Sequence, residues 1–232
     1  MCMLSPSQPF RWKMLLRDIA LLVTVFTFIG FTPINTSLGW LHMTQMGIVM
    51  VFAVAGPFLV TRLLYKEQHL RFPFHFGRSW YKREIAYILL AALFAYLVFP
   101  FYLGQGSYLN WEVALDPSHL VRLFIGTNAL GIWDELFFIG TVLALLRTHI
   151  PFFWANLIQG ICFTAFLYEL GFRGWGPLII FFFTISQGYI FSKSKSFLYI
   201  LTIHLTVDFV LFLTLIHLHF PHHLRIFITS PF

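Results

Sequence analysis

Residues 130–147 read LGIWDELFFIGTVLALLR, with two adjacent carboxylic acids, Asp134 and Glu135, in a run of Leu, Phe, Ile and Val. Asp134 lies 12 residues after Arg122 and 13 before Arg147, and no other charge falls between those cations except Glu135. A helix of this length crosses the hydrocarbon core of a bilayer, which needs about 20 apolar residues. The acids then stand near mid-bilayer, where a charged side chain costs about 2.5–3.5 kcal/mol on insertion scales. Ionisable groups at that depth mark function more often than accident.

The rest of the 232-residue chain has the same character, with 59% hydrophobic, 20% aromatic and only 10% charged residues. Soluble domains carry about 45–50% apolar and about 25% charged residues. A mean hydropathy of +0.79 therefore identifies lipid as the solvent. Apolar residues come in blocks and do not alternate with polar ones, which disfavours a transmembrane barrel. The blocks predict helices near 18–39, 44–64, 84–104, 120–146, 151–170, 177–192 and 196–217. The expected fold is all-α, a polytopic transmembrane bundle of about 7–8 helices forming a single integral membrane domain over residues 1–232.

The net charge of +6 does not point to nucleic acid. With a cytoplasmic N-terminus, Arg11, Lys13, Arg17, the basic loop RLLYKEQHLRFPFHFGRSWYKRE, Arg147, Lys193 and Lys195 fall inside. Only Arg122, Arg173 and Arg225 fall outside, a split of 12 to 3 among the 15 Lys and Arg. This is the positive-inside pattern, with a second use at anionic headgroups open to it. The expected location is a bacterial inner membrane. The basic loop, rich in Phe, Trp and Tyr, is expected to lie along the interface. The opposite loop, GQGSYLNWEVALDPSH, carries Glu112 and Asp116 and no cation. No cleavable signal peptide is expected, because the first apolar run lacks a small-residue cleavage site. Cys2 and Cys162 form no disulfide framework, and Cys162 reads as a small core residue. The tail HLHFPHHLR clusters four His, but its spacing fits no standard zinc pattern.

Two adjacent carboxyl groups cannot both comfortably be ionised at low dielectric. An acid that keeps its proton beside one that has lost it is what general acid/base chemistry needs. A second polar group occurs in FLYILTIHLTVDFVLF, where His204 and Asp208 are four apart and share one helix face. The bland alternative makes all four residues interhelical glue. Asn128, Asn156 and Gln159 read as packing amides, and Glu169 and Arg173 as a pair at a helix end.

DELFFIG resembles the first motif of the CAAX protease and bacteriocin-processing family of intramembrane proteases, Glu-Glu-x-x-x-Arg, often written EELFFRG. Asp134 stands for the first Glu, Glu135 matches the second, Gly140 matches the trailing Gly, and Ile139 replaces the Arg. His204 to Asp208 match the last motif, His-x-x-x-Asn or Asp, and the preceding SFLYILTIH matches the Ser-Leu-Trp-like lead-in. The middle motif, Phe-x-x-x-His, finds its best register at FTAFL, residues 163–167, with Leu167 in place of the His. Tyr168 and Glu169 follow directly. The resemblance covers roughly residues 120–216.

The resemblance implies an intramembrane endopeptidase acting on a membrane protein or peptide substrate within the lipid bilayer. Glu135 or Asp134 would act as general base, and His204 with Asp208 would stand at the oxyanion. In that role Asp208 orients His204 or carries a proton. The resemblance implies no organic cofactor and leaves a divalent metal open. Losing the middle His removes a group whose absence commonly costs about 10²–10⁴ in rate. The alternative is therefore a catalytically degenerate member acting as a membrane scaffold, assembly or immunity factor. A proton-coupled transporter would also use buried carboxylates, but the chain lacks the paired interrupted helices and two-fold repeat of such folds.

Overall fold

The computed structural model describes residues 12–74 and 79–228. Cys2, Arg11 and positions 75–78 of the basic loop lie outside the described residues. Among the described residues all regular structure is helical, in the order α1 (Trp12–Gly30), α2 (Trp40–Leu64), α3 (Lys82–Leu103), α4 (Pro117–Leu146), α5 (Phe152–Glu169), α6 (Gly176–Ser194) and α7 (Phe197–His219). The expected all-α bundle is the one observed. Four helices, α2, α3, α4 and α7, are long and apolar enough to cross a membrane, so the chain is an integral membrane protein.

The first helix departs from the expected 18–39. It begins at Trp12 and ends at Gly30. Pro33 pushes Thr32 away from helical angles, and the Asn35 side chain captures the Ser37 N–H at 2.9 Å, a local turn that competes with a helix. Residues 31–39 become a loop over one end of the bundle.

Burial ranks the helices. Of the most apolar window of α4, 72% is buried inside the protein, against 17% for α2 and for α3. The helix that carries the acid pair is thus the central one. It packs against α7 and α2, its second half rests on α5, and α7 packs on its other side against α3. Residues Glu135–Leu143 of α4 form a π-helix, with wider turns than the α-helix that precedes it. The two acids therefore sit on either side of a change in helical pitch.

Aromatic rings fill the centre. Phe138 stacks on Phe163 with centroids 4.6 Å apart, and Trp133 stacks on Phe137 at 4.9 Å. Such pairs add about 0.5–1.5 kcal/mol beyond their buried area. Trp133 also donates its indole N–H to the Met50 carbonyl of α2 at 2.8 Å. Cys162 packs against this core.

The amides divide. Asn156 donates from α5 to the Ile185 carbonyl of α6 at 3.0 Å, and Gln159 donates to Asn156 Oδ1 at 2.9 Å and to the Thr184 carbonyl. These two are the expected glue. Asn128 bonds its own helix at the Phe124 carbonyl and ties nothing together. No ion pair joins Glu169 to Arg173. The Arg173 guanidinium stands instead over the Tyr168 ring, 5.3 Å from its centroid. In the tail, His217 and His219 each donate a ring N–H to a backbone carbonyl, Leu224 and Leu215.

The basic loop does not simply lie along the interface. Leu70 is buried, and Phe72 packs on Phe58 and Phe197 under the bundle. The Phe197 N–H donates to the Pro73 carbonyl at 3.1 Å. Nearby, Arg17 bridges Asp18 at 2.9 Å and Glu67 at 2.7 Å, and His149 meets the other Asp18 oxygen at 2.8 Å. Apolar area drives Leu70 and Phe72 inward, while Arg62, Lys66, Arg71, Lys82 and Arg83 stay exposed.

Gly140 makes this plug fit. A Cβ there would lie 2.5 Å from the Phe72 ring and 2.8 Å from the Phe197 ring. Gly140→Ala should cost about 1–3 kcal/mol through overpacking, read as a lower thermal midpoint in detergent. Gly47→Ala, with open space around its added methyl, should leave the midpoint unchanged or raise it.

Candidate active site

Asp134 and Glu135 both come from the centre of α4 and both are buried, at 1% and 0% exposure. They face different partners. Glu135 Oε1 meets His204 Nδ1 of α7 at 2.8 Å. The same oxygen accepts from Gln187 Nε2 of α6 at 2.9 Å, and Gln187 also donates to the Ile200 carbonyl at 3.2 Å. One carboxylate oxygen thus ties together three helices. Glu135 Oε2 and Asp134 Oδ1 have no hydrogen-bond partner.

His204 is held on both sides. Phe183 meets its ring edge-on at 5.2 Å and Phe163 lies roughly parallel at 6.0 Å. With an ionised Glu135, Nδ1 carries a proton, and the free face of the imidazole is Nε2. That nitrogen lies 3.7 Å from Asp208 Oδ1, beyond hydrogen-bond length but close enough to attract. Asp208 in turn approaches the backbone of α4. A Cβ on Gly131 would fall 1.9 Å from Asp208 Oδ2 and 3.1 Å from the His204 ring. The glycine one turn before the acids is what lets the His–Asp pair close on them.

The four sequence-nominated residues therefore converge. Asp134, His204 and Asp208 line one cavity of about 240 Å³, and Glu135 holds His204 from behind. His204 and Asp208 also line a second, more apolar cavity of about 570 Å³ between α3, α6 and α7. Leu167, which the best register of the middle motif sets in the place of the His, lines both cavities. Ile139, in the place of the Arg, is wholly buried in the apolar core. Sequence reasoning missed Gln187. Its signal was present in FFFTISQGYIF, a lone amide in an apolar helix, but nothing local pointed it at Glu135.

A divalent metal does not fit these donors. His204 Nδ1 is taken by Glu135, and among the described residues no group of three His, Cys, Asp or Glu stands at metal-binding spacing. The arrangement suits proton transfer. A carboxylate with a free oxygen and an imidazole with a free nitrogen face one cavity large enough for several waters, each about 30 Å³.

Residues 115–210 match the family described as type II CAAX prenyl endopeptidase, Rce1-like. No curated protein and no solved structure matches the chain. The matched residues contain α4 to most of α7, and with them Asp134, Glu135, Gln187, His204 and Asp208.

Gln187→Ala would leave Glu135 short of a buried donor, at a cost of about 1–3 kcal/mol. The expected result is a lower thermal midpoint in detergent. Gln187→Glu, which sets a second acid against Glu135, should lower it further.

Proposed function

With residues 115–210 belonging to the CAAX protease and bacteriocin-processing family, we propose that this chain is an intramembrane endopeptidase that hydrolyses a peptide bond of a membrane-associated protein or peptide. The observation that carries the reading is the 2.8 Å contact between Glu135 and His204, deep in the bundle, beside a cavity lined by Asp134.

In the mechanism these groups support, Asp134 binds a water through its unpartnered oxygen and takes its proton as the water attacks the scissile carbonyl. Glu135 holds the His204 ring by Nδ1, and the doubly protonated ring turns its Nε2–H toward the oxyanion that forms. Asp208, with Oδ1 3.7 Å from Nε2, keeps the ring oriented. The carbon–nitrogen bond breaks as Asp134 passes the proton to the leaving amine. The products are a carboxylic acid and an amine, the water supplying the hydroxyl of the acid and a hydrogen of the amine. Gln187 acts through Glu135 as a positioning residue. Proton transfer by a placed side chain contributes about 10²–10⁴ in rate.

A second reading, a catalytically inert member serving as scaffold, draws on one observation. Leu167 faces both cavities and brings no polar group to the position where the family motif has its His.

The variants Asp134→Asn, Glu135→Gln and His204→Ala separate the two. Each should reduce cleavage of a membrane-anchored test substrate per folded molecule by about 10²–10⁴. Asp134→Asn, whose Oδ1 has no hydrogen bond to lose, should do so at normal abundance in the membrane. Glu135→Gln and His204→Ala break a buried contact and should also lower abundance. Unchanged cleavage per folded molecule in all three would favour the scaffold.

A further inference from the structure

The cavity that holds Asp134, His204 and Asp208 is lopsided. One end is formed by the loop after α1, where Asn35 and Ser37 are exposed, and the other ends at the acids. Around this end three loops are stitched together. Thr36 donates to the Asn110 carbonyl, and the Asn110 side-chain amide donates to the Gly171 carbonyl at 2.9 Å. Gly171, at φ +98, brings its backbone against Asn110 where a Cβ would clash. The loops form a fixed rim.

The opposite end is closed. Below the acids, Phe138 and Ile139 are fully buried, and Gly140 receives the rings of Phe72 and Phe197. Phe191 packs on Phe197 at 4.8 Å and completes the plug. The cavity that holds Asp134 therefore reaches the loop end and is closed by these aromatics on the other side.

The charges orient this asymmetry. Among the described residues the plugged end carries ten of the 13 Lys and Arg, while the rim end carries Glu112, Asp116 and the other three cations. Basic segments stay on the cytoplasmic side of a membrane.

We infer that the site is entered from the face opposite the basic loops, and that its substrates are the membrane-flanking segments of anchored polypeptides exposed on that non-cytoplasmic face. The chemistry of this substrate class rests on the protease reading above, whereas the direction of access does not. The lining of the cavity narrows the class further. It includes no Lys or Arg, and its ionisable groups are Asp134, Asp208, His42 and His204, so an acidic segment would set further carboxylates beside Asp134 and Asp208. An uncharged, extended stretch next to a membrane anchor fits.

Cysteine labelling in a Cys2→Ser, Cys162→Ser background tests the direction. Full-length Ser37→Cys at the rim, Met46→Cys in the cavity wall and Lys195→Cys on the basic face are each exposed to a membrane-impermeant maleimide, in right-side-out and inside-out vesicles. Ser37→Cys and Met46→Cys should label from the outside and be spared from the inside, and Lys195→Cys should do the reverse. Labelling of Met46→Cys from the inside, or Ser37→Cys and Lys195→Cys labelling from one side together, overturns the inference. Ser37 is on an exposed loop, so its variant reports even where Met46→Cys fails to fold. Cleavage is scored separately. The expected labelling with no cleavage of any substrate sinks the protease reading and leaves the direction of access standing.

Discussion

The hydrogen bond between Glu135 Oε1 and His204 Nδ1 is the constraint on which the interior depends. Both side chains are buried among Phe rings, where an uncompensated charge or an unpaired donor is costly. Removing one partner of such a pair typically costs about 3–5 kcal/mol. The helices α4 and α7 therefore hold one relative position, and Gln187 brings α6 to the same oxygen. In a bilayer, apolar packing alone discriminates weakly between helix arrangements, because lipid tails are as apolar as the helices. A polar group that only one arrangement can satisfy is what selects among them.

Close approach of backbones makes room for that bond. Gly131 leaves the space that Asp208 fills, and Gly188 leaves the space that Asn156 fills. Small residues at helix contacts are the usual means of bringing polar side chains within reach in membranes. The aromatic residues then fill the volume left over, with Phe137, Phe138 and Phe163 wholly enclosed. The departures from the family pattern follow the same logic. Ile139 sits where a cation would have no partner in the core, and Leu167 keeps the cavity wall apolar where a His would make it polar.

The two ends of the bundle are built differently. At the basic end, Arg17, Asp18, Glu67 and His149 clamp α1 to the turns that follow α2 and α4, and Phe72 seals the helices from below. At the other end, backbone carbonyls of the loops are bonded by Asn and Thr side chains, leaving a rim rather than a plug. Hydrophobic burial closes one end and polar stitching frames the other, so the polar centre faces one way.

The sequence by itself determined the solvent, the helices and the residues to watch. Blocks of apolar residues about 20 long leave a backbone no alternative to helix in lipid, and Asp134, Glu135, His204 and Asp208 stand out because charge is expensive there. Local chemistry also carried the end of α1, where Pro33 and Asn35 outweigh the apolar run that continues past Gly30. Tertiary structure alone decided which acid holds the imidazole, because Asp134 and Glu135 are neighbours in sequence and the change of pitch at Glu135 turns them to different surroundings. It alone brought in Gln187, 52 residues from Glu135 in the chain. It also sent Phe72 under the bundle, where a loop composition suggested only the interface. Periodicity records which residues dislike water or lipid, whereas the partner of a buried polar atom is fixed by how helices cross.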